Sequence, residues 1–241
     1  MVESRVAIIT GAGSGIGRAT AVRLAAQGCR TLLFDRDGEA VARVAADLSH
    51  GASAYPVDVT DALAINSAVA AITDSFGRID ILINNAGGGG GARLLDVDAA
   101  NWEAMLALNL TSALRLIQAV APVMARNGGG AIVNVASLAA RFASPKGGAG
   151  YSAAKAGLLA LSRQAASELA SSGIRVNSVL PGPTRTELTK FSVRRDESFP
   201  LGKWIEADDI AAAIAFLASE DARMCSGAEL VVDGGLSVAL G

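Results

Sequence analysis

Histidine occurs once in these 241 residues, at His50, cysteine twice, at Cys29 and Cys225, tyrosine twice and lysine four times. One histidine and two distant cysteines supply no ligand set with the spacing that zinc requires, so no metal site is expected. So few cysteines suit a reduced, cytoplasmic setting. Basic residues are not gathered either: the formal net charge is -2, and the densest basic pair, Arg194-Arg195, is followed at once by Asp196 and Glu197. Nucleic-acid binding rests on clustered Lys and Arg, so no such partner is expected. The longest unbroken apolar run, Ile210 to Ala218, is far shorter than the roughly 20 residues of a membrane helix. The opening MVESRVAIITGAG carries Glu3 and Arg5 and soon turns glycine-rich, unlike the apolar centre of a secretory leader. Neither a membrane partner nor secretion is expected. No Pro- or Ser-rich linker and no internal repeat divides the chain, so residues 1–241 read as a single domain.

What is abundant is alanine, valine, leucine, isoleucine and glycine, in a definite order. Short β-branched runs (5–10, 30–35, 52–57, 80–83, 131–136, 174–180 and 230–233) alternate with helical apolar spacing over 15–27, 38–48, 61–76, 101–126, 151–171 and 208–219. Such alternation predicts an α/β fold, a doubly wound, seven-stranded parallel sheet flanked by helices. The least regular stretch runs from Pro181 to Trp204 and holds Pro181, Pro183 and Pro200. A loop is expected there, with a short lid over a cleft around 183–204.

After the first strand comes TGAGSGIG, Thr10 to Gly17, opening directly into a helical pattern. A strand, a glycine turn and a helix N-terminus together bind anions, because bare backbone N–H groups and the helix dipole face the ligand. The second strand ends at Asp35, eighteen residues after Gly17, where a dinucleotide-binding unit places an acid on the adenosine ribose. A carboxylate there accepts from ribose hydroxyls and repels a 2'-phosphate, which favours NAD over NADP. Arg36 follows immediately and could pair with such a phosphate. In mid-chain stands GYSAAK, with Tyr151 four residues before Lys155. On a helix the two share a face, and alone the pair reads equally well as an ordinary surface contact.

With TGAGSGIG, Asn84-Asn85-Ala86-Gly87, Ser137, Tyr151-x-x-x-Lys155 and Pro181-Gly182 in this order, the chain resembles the short-chain dehydrogenase/reductase family over essentially its whole length. The resemblance implies a Rossmann-type domain in which Gly11, Gly15 and Gly17 carry the pyrophosphate turn, with Ser14 and Ile16 beside it. It implies that Asp58 and Val59 hold the adenine, that Asn85, Ala86 and Gly87 support the ribose side, and that Pro181, Gly182, Thr184 and Thr186 approach the carboxamide and phosphates. The matching catalytic set is Asn109, Ser137, Tyr151 and Lys155. Tyr151 would move a proton, Ser137 would hold the substrate oxygen, Lys155 would favour the phenolate and grip the nicotinamide ribose, and Asn109 would anchor a water.

The implied activity is NAD(H)-dependent interconversion of a small secondary alcohol and a ketone. The alternative is NADPH-dependent reduction of 3-oxoacyl groups on a carrier protein. A non-catalytic dinucleotide-binding protein is disfavoured, since neither Tyr151 nor Lys155 has been lost. The resemblance also implies a homotetramer built on the helices over 101–126 and 151–171. Two departures stand out. Ser137 and Tyr151 are fourteen positions apart, one more than is usual, and the surplus is expected in the glycine-rich loop Lys146 to Gly150. Five glycines, Gly87 to Gly91, bare one edge of the pocket. In the lid, Phe191, Phe199 and Trp204 could form an apolar wall or pack into the core.

Overall fold

The computed structural model describes residues 4–48, 51–90, 92–189 and 196–239. His50, Gly91, Phe191, Arg194 and Arg195, singled out above, lie outside the described residues.

Seven parallel strands form one sheet in the order β3-β2-β1-β4-β5-β6-β9. They are β1 (Val6–Thr10), β2 (Arg30–Asp35), β3 (Ser53–Pro56), β4 (Ile81–Asn84), β5 (Gly130–Val135), β6 (Ile174–Pro181) and β9 (Glu229–Val232), the labels β7 and β8 falling to a smaller pair below. Alternation along β1 explains the two-layer core. Ala7 and Ile9 point into a cluster with Leu24 of helix α1 (Gly15–Ala26) and with Ile210 and Ile214 of α7 (Ala207–Ala218). Val6 and Ile8 point the other way, to Ile65 of α3 (Ala62–Phe76) and Leu116 and Val120 of α5 (Ser112–Arg126). Each fully buried side chain of this kind contributes about 1.5–3 kcal/mol, which is why strands apolar on both faces need helices on both sides. Helix α2 (Gly38–Asp47) crosses between β2 and β3, and α6 (Gly148–Leu169) between β5 and β6.

The order reverses between β1 and β4. In an open parallel sheet the crevice at such a switch point, beyond the carboxyl ends of the strands, is where ligands bind. A buried polar chain locks the switch-point side: Asn84 Nδ2 donates to Asn134 Oδ1 at 2.8 Å, and Asn134 Nδ2 donates to Ser162 Oγ on α6 at 2.8 Å.

Three features differ from the sequence expectation. The helix over 101–126 is two, α4 (Ala99–Leu106) and α5, joined by a π-helical turn at Ala107–Thr111. By length and composition this combined run, Ala99–Arg126, passes the test for a membrane-crossing helix, its most apolar 18-residue window having mean hydropathy 1.4, a property that unbroken apolar runs do not reveal. In the fold Leu116, Ile117, Val120 and Met124 cover the sheet instead. A second, two-stranded parallel sheet pairs β7 (Thr184–Arg185), within the stretch expected as a lid, with β8 (Ile205–Glu206), just beyond it. A short helix, α8 (Leu236–Ala239), follows β9.

A Cβ on Gly17 would stand 2.1 Å from the Gly11 carbonyl oxygen and 2.6 Å from Asn85 Nδ2, whereas one on Gly88 would meet nothing within 4 Å. Gly17→Ala is therefore expected to lower the unfolding free energy by about 1–3 kcal/mol, and Gly88→Ala to stay within about 0.5 kcal/mol of the parent. Denaturant titration of both variants checks this, and equal loss in the two would contradict it.

Candidate active site

The glycine turn is built as a backbone cradle. Gly11 (φ 64°) and Gly15 (φ 52°) adopt left-handed conformations that favour glycine, and Gly17 has no room for a side chain. Ser14 begins α1 with extended backbone and no side-chain capping bond, so no cap covers the first-turn N–H groups at the positive end of the helix. Thr10, which the sequence reading did not single out, clips this turn to β4. Its Oγ1 accepts from the N–H groups of Asn85 (3.0 Å) and Ala86 (2.9 Å) and donates to Ile83 O, while Asn85 Nδ2 donates to Thr10 O at 2.9 Å. Its only signal in the sequence is its place directly before the glycines. The bare turn, its two left-handed glycines and the uncapped helix end fit a pyrophosphate.

Asp35 closes β2 beside this cradle. Its Oδ2 accepts the Gly13 N–H at 2.9 Å and its Oδ1 the Asp37 N–H at 3.0 Å. Two of its roughly four acceptor positions remain for ribose hydroxyls. Asp58, beyond β3, takes both the N–H and the hydroxyl of Thr60 on Oδ1. Those bonds, aided by the Arg36 charge, hold its carboxyl below the usual range. Val59 beside it is buried. On the other side, Gly182 N–H bonds to Val232 O at 2.9 Å, Thr184 is buried, and the Thr186 methyl lies 3.3 Å from where a Gly15 Cβ would be. Pro181 ends β6. The cofactor residues expected from sequence thus line the carboxyl edge of the sheet. In the lid, Phe199 and Trp204 are buried with ring centroids 5.3 Å apart, and so belong to the core rather than to a substrate wall.

Of the four expected catalytic residues, Asn109 and Lys155 flank Gly87, and Tyr151 lies beside Lys155. Ser137 follows β5, its Oγ accepts the Ala139 N–H at 3.1 Å, and its hydroxyl is the polar group that acts on the Tyr151 phenol. Tyr151 sits in the first turn of α6 and Lys155 one turn on. Lys155 is 3% exposed, and its Nζ donates to Val135 O at 2.8 Å and lies 5.7 Å from the Tyr151 ring centroid. Asn109 occupies the π turn, a device often found at functional sites. A Cβ on Gly87 would be 2.8 Å from Asn109 Oδ1 and 3.1 Å from Lys155 Nζ, so only glycine fits between these polar heads. In the segment Lys146 to Gly150, where the surplus residue is expected, the chain makes a turn and helix α6 begins at Gly148 with a left-handed φ of 76°. Ser144 Oγ accepts the Gly147 N–H and the Ser144 carbonyl accepts the Gly148 N–H.

Two roles are modified by the geometry. Asn109 Nδ2 donates to Gly88 O and Met105 O, and its Oδ1 accepts the Gly88 N–H. Both amide protons are committed, which leaves one Oδ1 lone pair for a water. Burial pushes the Tyr151 phenol above its ordinary range, with the Ser137 bond acting against it, so the protein alone does not supply a phenolate. Desolvation brings Lys155 down from 10.5 to about 8, and it is still mostly cationic at neutral pH.

Between pH 8 and 10.5 the unfolded chain keeps a proton that folded Lys155 has released, so this residue makes stability rise with pH across that window. Wild type is expected to gain up to about 3 kcal/mol relative to Lys155→Met between pH 7 and 10.5. Thermal or denaturant unfolding of both across pH measures it, and parallel curves would contradict it.

Cys29 and Cys225 are free thiols, and among the described residues no group of three His, Cys, Asp or Glu side chains could hold a metal. The family profile described as enoyl-(acyl carrier protein) reductase matches residues 11–237. D-threitol dehydrogenase of Mycolicibacterium smegmatis is 39% identical over 246 aligned positions, covering 98% of this chain and 94% of the relative. A 3-oxoacyl-acyl-carrier-protein reductase of Thermotoga maritima is 35% identical over 245, covering 98% and 99%. A crystal structure from Burkholderia xenovorans, assigned to the short-chain dehydrogenases/reductases, superposes with a TM-score of 0.92 at 38% identity, covering 97% of this chain and 96% of that one. With this fold and these motifs in place, the chain belongs to the short-chain dehydrogenase/reductase family of oxidoreductases.

Proposed function

We propose that this oxidoreductase is an NAD(H)-dependent enzyme that interconverts a secondary alcohol and a ketone, with Tyr151 as general acid and base. The observation that carries the reading is the gathering of polar heads at this edge, with Lys155 Nζ 5.7 Å from the Tyr151 ring centroid and Lys155 Nζ and Asn109 Oδ1 flanking Gly87. The nicotinamide, when bound, takes or gives the hydride. Ser137 then holds the substrate oxygen within reach of the phenol, and Tyr151 accepts the hydroxyl proton during oxidation or returns it during reduction. The cationic Lys155, packed in a dry pocket, favours the phenolate as the proton leaves. The free Oδ1 lone pair of Asn109 offers a water a place beside this pair.

Asp35 supports NAD. Its carboxylate is anchored to the glycine turn through Gly13, where a 2'-phosphate would meet a fixed negative charge. The second reading, NADPH-linked reduction of 3-oxoacyl groups on a carrier protein, is favoured by the name of the T. maritima relative. The name of the M. smegmatis relative favours the polyol reading.

A screen of secondary alcohols, polyols and 3-oxoacyl thioesters with both cofactors discriminates the two. NAD+ is expected to bind at least about tenfold tighter than NADP+ and to be reduced by a small alcohol, and Asp35→Ser is expected to narrow that ratio. Tighter NADP+ binding by the parent, with turnover confined to thioesters, would establish the second reading instead.

A further inference from the structure

One carboxylate connects the two segments that carry Ser137 and Tyr151. Glu229 opens β9, and its side chain is 15% exposed. One oxygen takes the Arg141 guanidinium, and the other takes Arg163 Nη1 at 2.6 Å. Arg141 directly follows the 3-10 turn Leu138–Ala140. Its N–H bonds Leu138 O at 2.9 Å, the Ala140 N–H bonds Ser137 O at 3.0 Å, and the Ala139 N–H bonds Ser137 Oγ. Arg141 therefore holds the far end of the turn that sets the Ser137 rotamer. Arg163 lies on α6, twelve residues beyond Tyr151 and eight beyond Lys155. The two arms of Glu229 end on the two elements whose relative placement brings Ser137 to the phenol.

Exposed ion pairs contribute little. This one differs because both oxygens of one carboxylate, on a half-buried residue, are engaged, each by its own guanidinium. Burial pushes the Glu229 carboxyl up, yet the bonds and charges of Arg141 and Arg163 outweigh it and hold it below the ordinary range. The Arg43–Glu39 pair on α2, at 3.7 Å and largely exposed on both sides, shows the contrasting case.

We propose that Glu229, acting through Arg141 and Arg163, is a positioning residue that keeps the Ser137 turn and the Tyr151 helix in mutual register. Its importance for catalysis rests on the reading of Tyr151 as the proton-transfer group. The chain's two tyrosines, Tyr55 and Tyr151, make the contact directly observable. With tyrosine isotope-labelled at the phenolic carbon, nuclear magnetic resonance gives one line for each, assigned by Tyr151→Phe, and Ser137→Ala defines the line position without the Ser137 hydroxyl.

In Glu229→Gln and in Arg141→Met the Tyr151 line is expected to move by more than its width toward the Ser137→Ala position, while the Tyr55 line stays. Arg43→Met should move neither. If Glu229→Gln does not fold, Arg141→Met, which alters a side chain more exposed than that of Glu229, decides alone. A Tyr151 line unchanged in every folded variant overturns the proposal, as does equal movement of both lines, the mark of general loosening. Turnover by Tyr151→Phe tests the proton-transfer reading separately, so either can fail without the other.

Discussion

A buried ammonium holding one backbone carbonyl organises this site. Lys155 is 3% exposed and donates to Val135 O at 2.8 Å, so an otherwise costly charge is tied to the last residue of β5. Burying a cation is unfavourable unless it is hydrogen-bonded, and the cost shows in the fall of Lys155 to about 8. That single bond fixes the first turns of α6 over the end of β5. Ser137 leaves β5 two residues after Val135, and Tyr151 stands one turn before Lys155. The meeting of the Ser137 hydroxyl and the Tyr151 phenol follows from this geometry.

The cofactor side is organised by close backbone approach. Gly17 leaves no space against the Gly11 carbonyl, and Thr10 and Asn85 join the turn to the end of β4 by side-chain bonds. The polar chain Asn84-Asn134-Ser162 then links β4, β5 and α6 beneath. Two halves that could move independently, the glycine turn at the end of β1 and the Ser137–Tyr151 side beyond β5, are thereby held on one frame. Such rigidity matters because misplacement of reacting groups by about 1 Å can cost about a hundredfold in rate.

Much of this was legible in the residues. Every expected strand lands within one residue of its place, because buried β-branched runs bounded by glycine and polar residues leave little choice. Gly17 packs on Gly11, and Asn109 and Lys155 meet beside Gly87, because each is fixed by its position in a strand end or helix turn. The π turn at Asn109 was not legible, since one extra residue per turn barely disturbs an apolar period in the run from Ala99 to Arg126. Strands β7 and β8 hold two residues each, too few to show alternation. Phe199 and Trp204 were ambiguous, since an aromatic in an irregular loop carries no facing information. The tie from Asp35 to Gly13 spans 22 positions, and those from Glu229 to Arg163 and Arg141 span 66 and 88. Such pairings are made only by the topology. The direction of the Tyr151 shift was also hidden, because burial cannot be summed from neighbours in sequence.

The central claim is that Tyr151 moves the proton while the rest of the site binds and orients. Its most direct measurement compares wild type with Tyr151→Phe in NADH formation from an alcohol substrate, alongside NAD+ affinity measured on the same samples. The expected result is loss of turnover by at least about a hundredfold with NAD+ affinity little changed. Full turnover in Tyr151→Phe would contradict the claim.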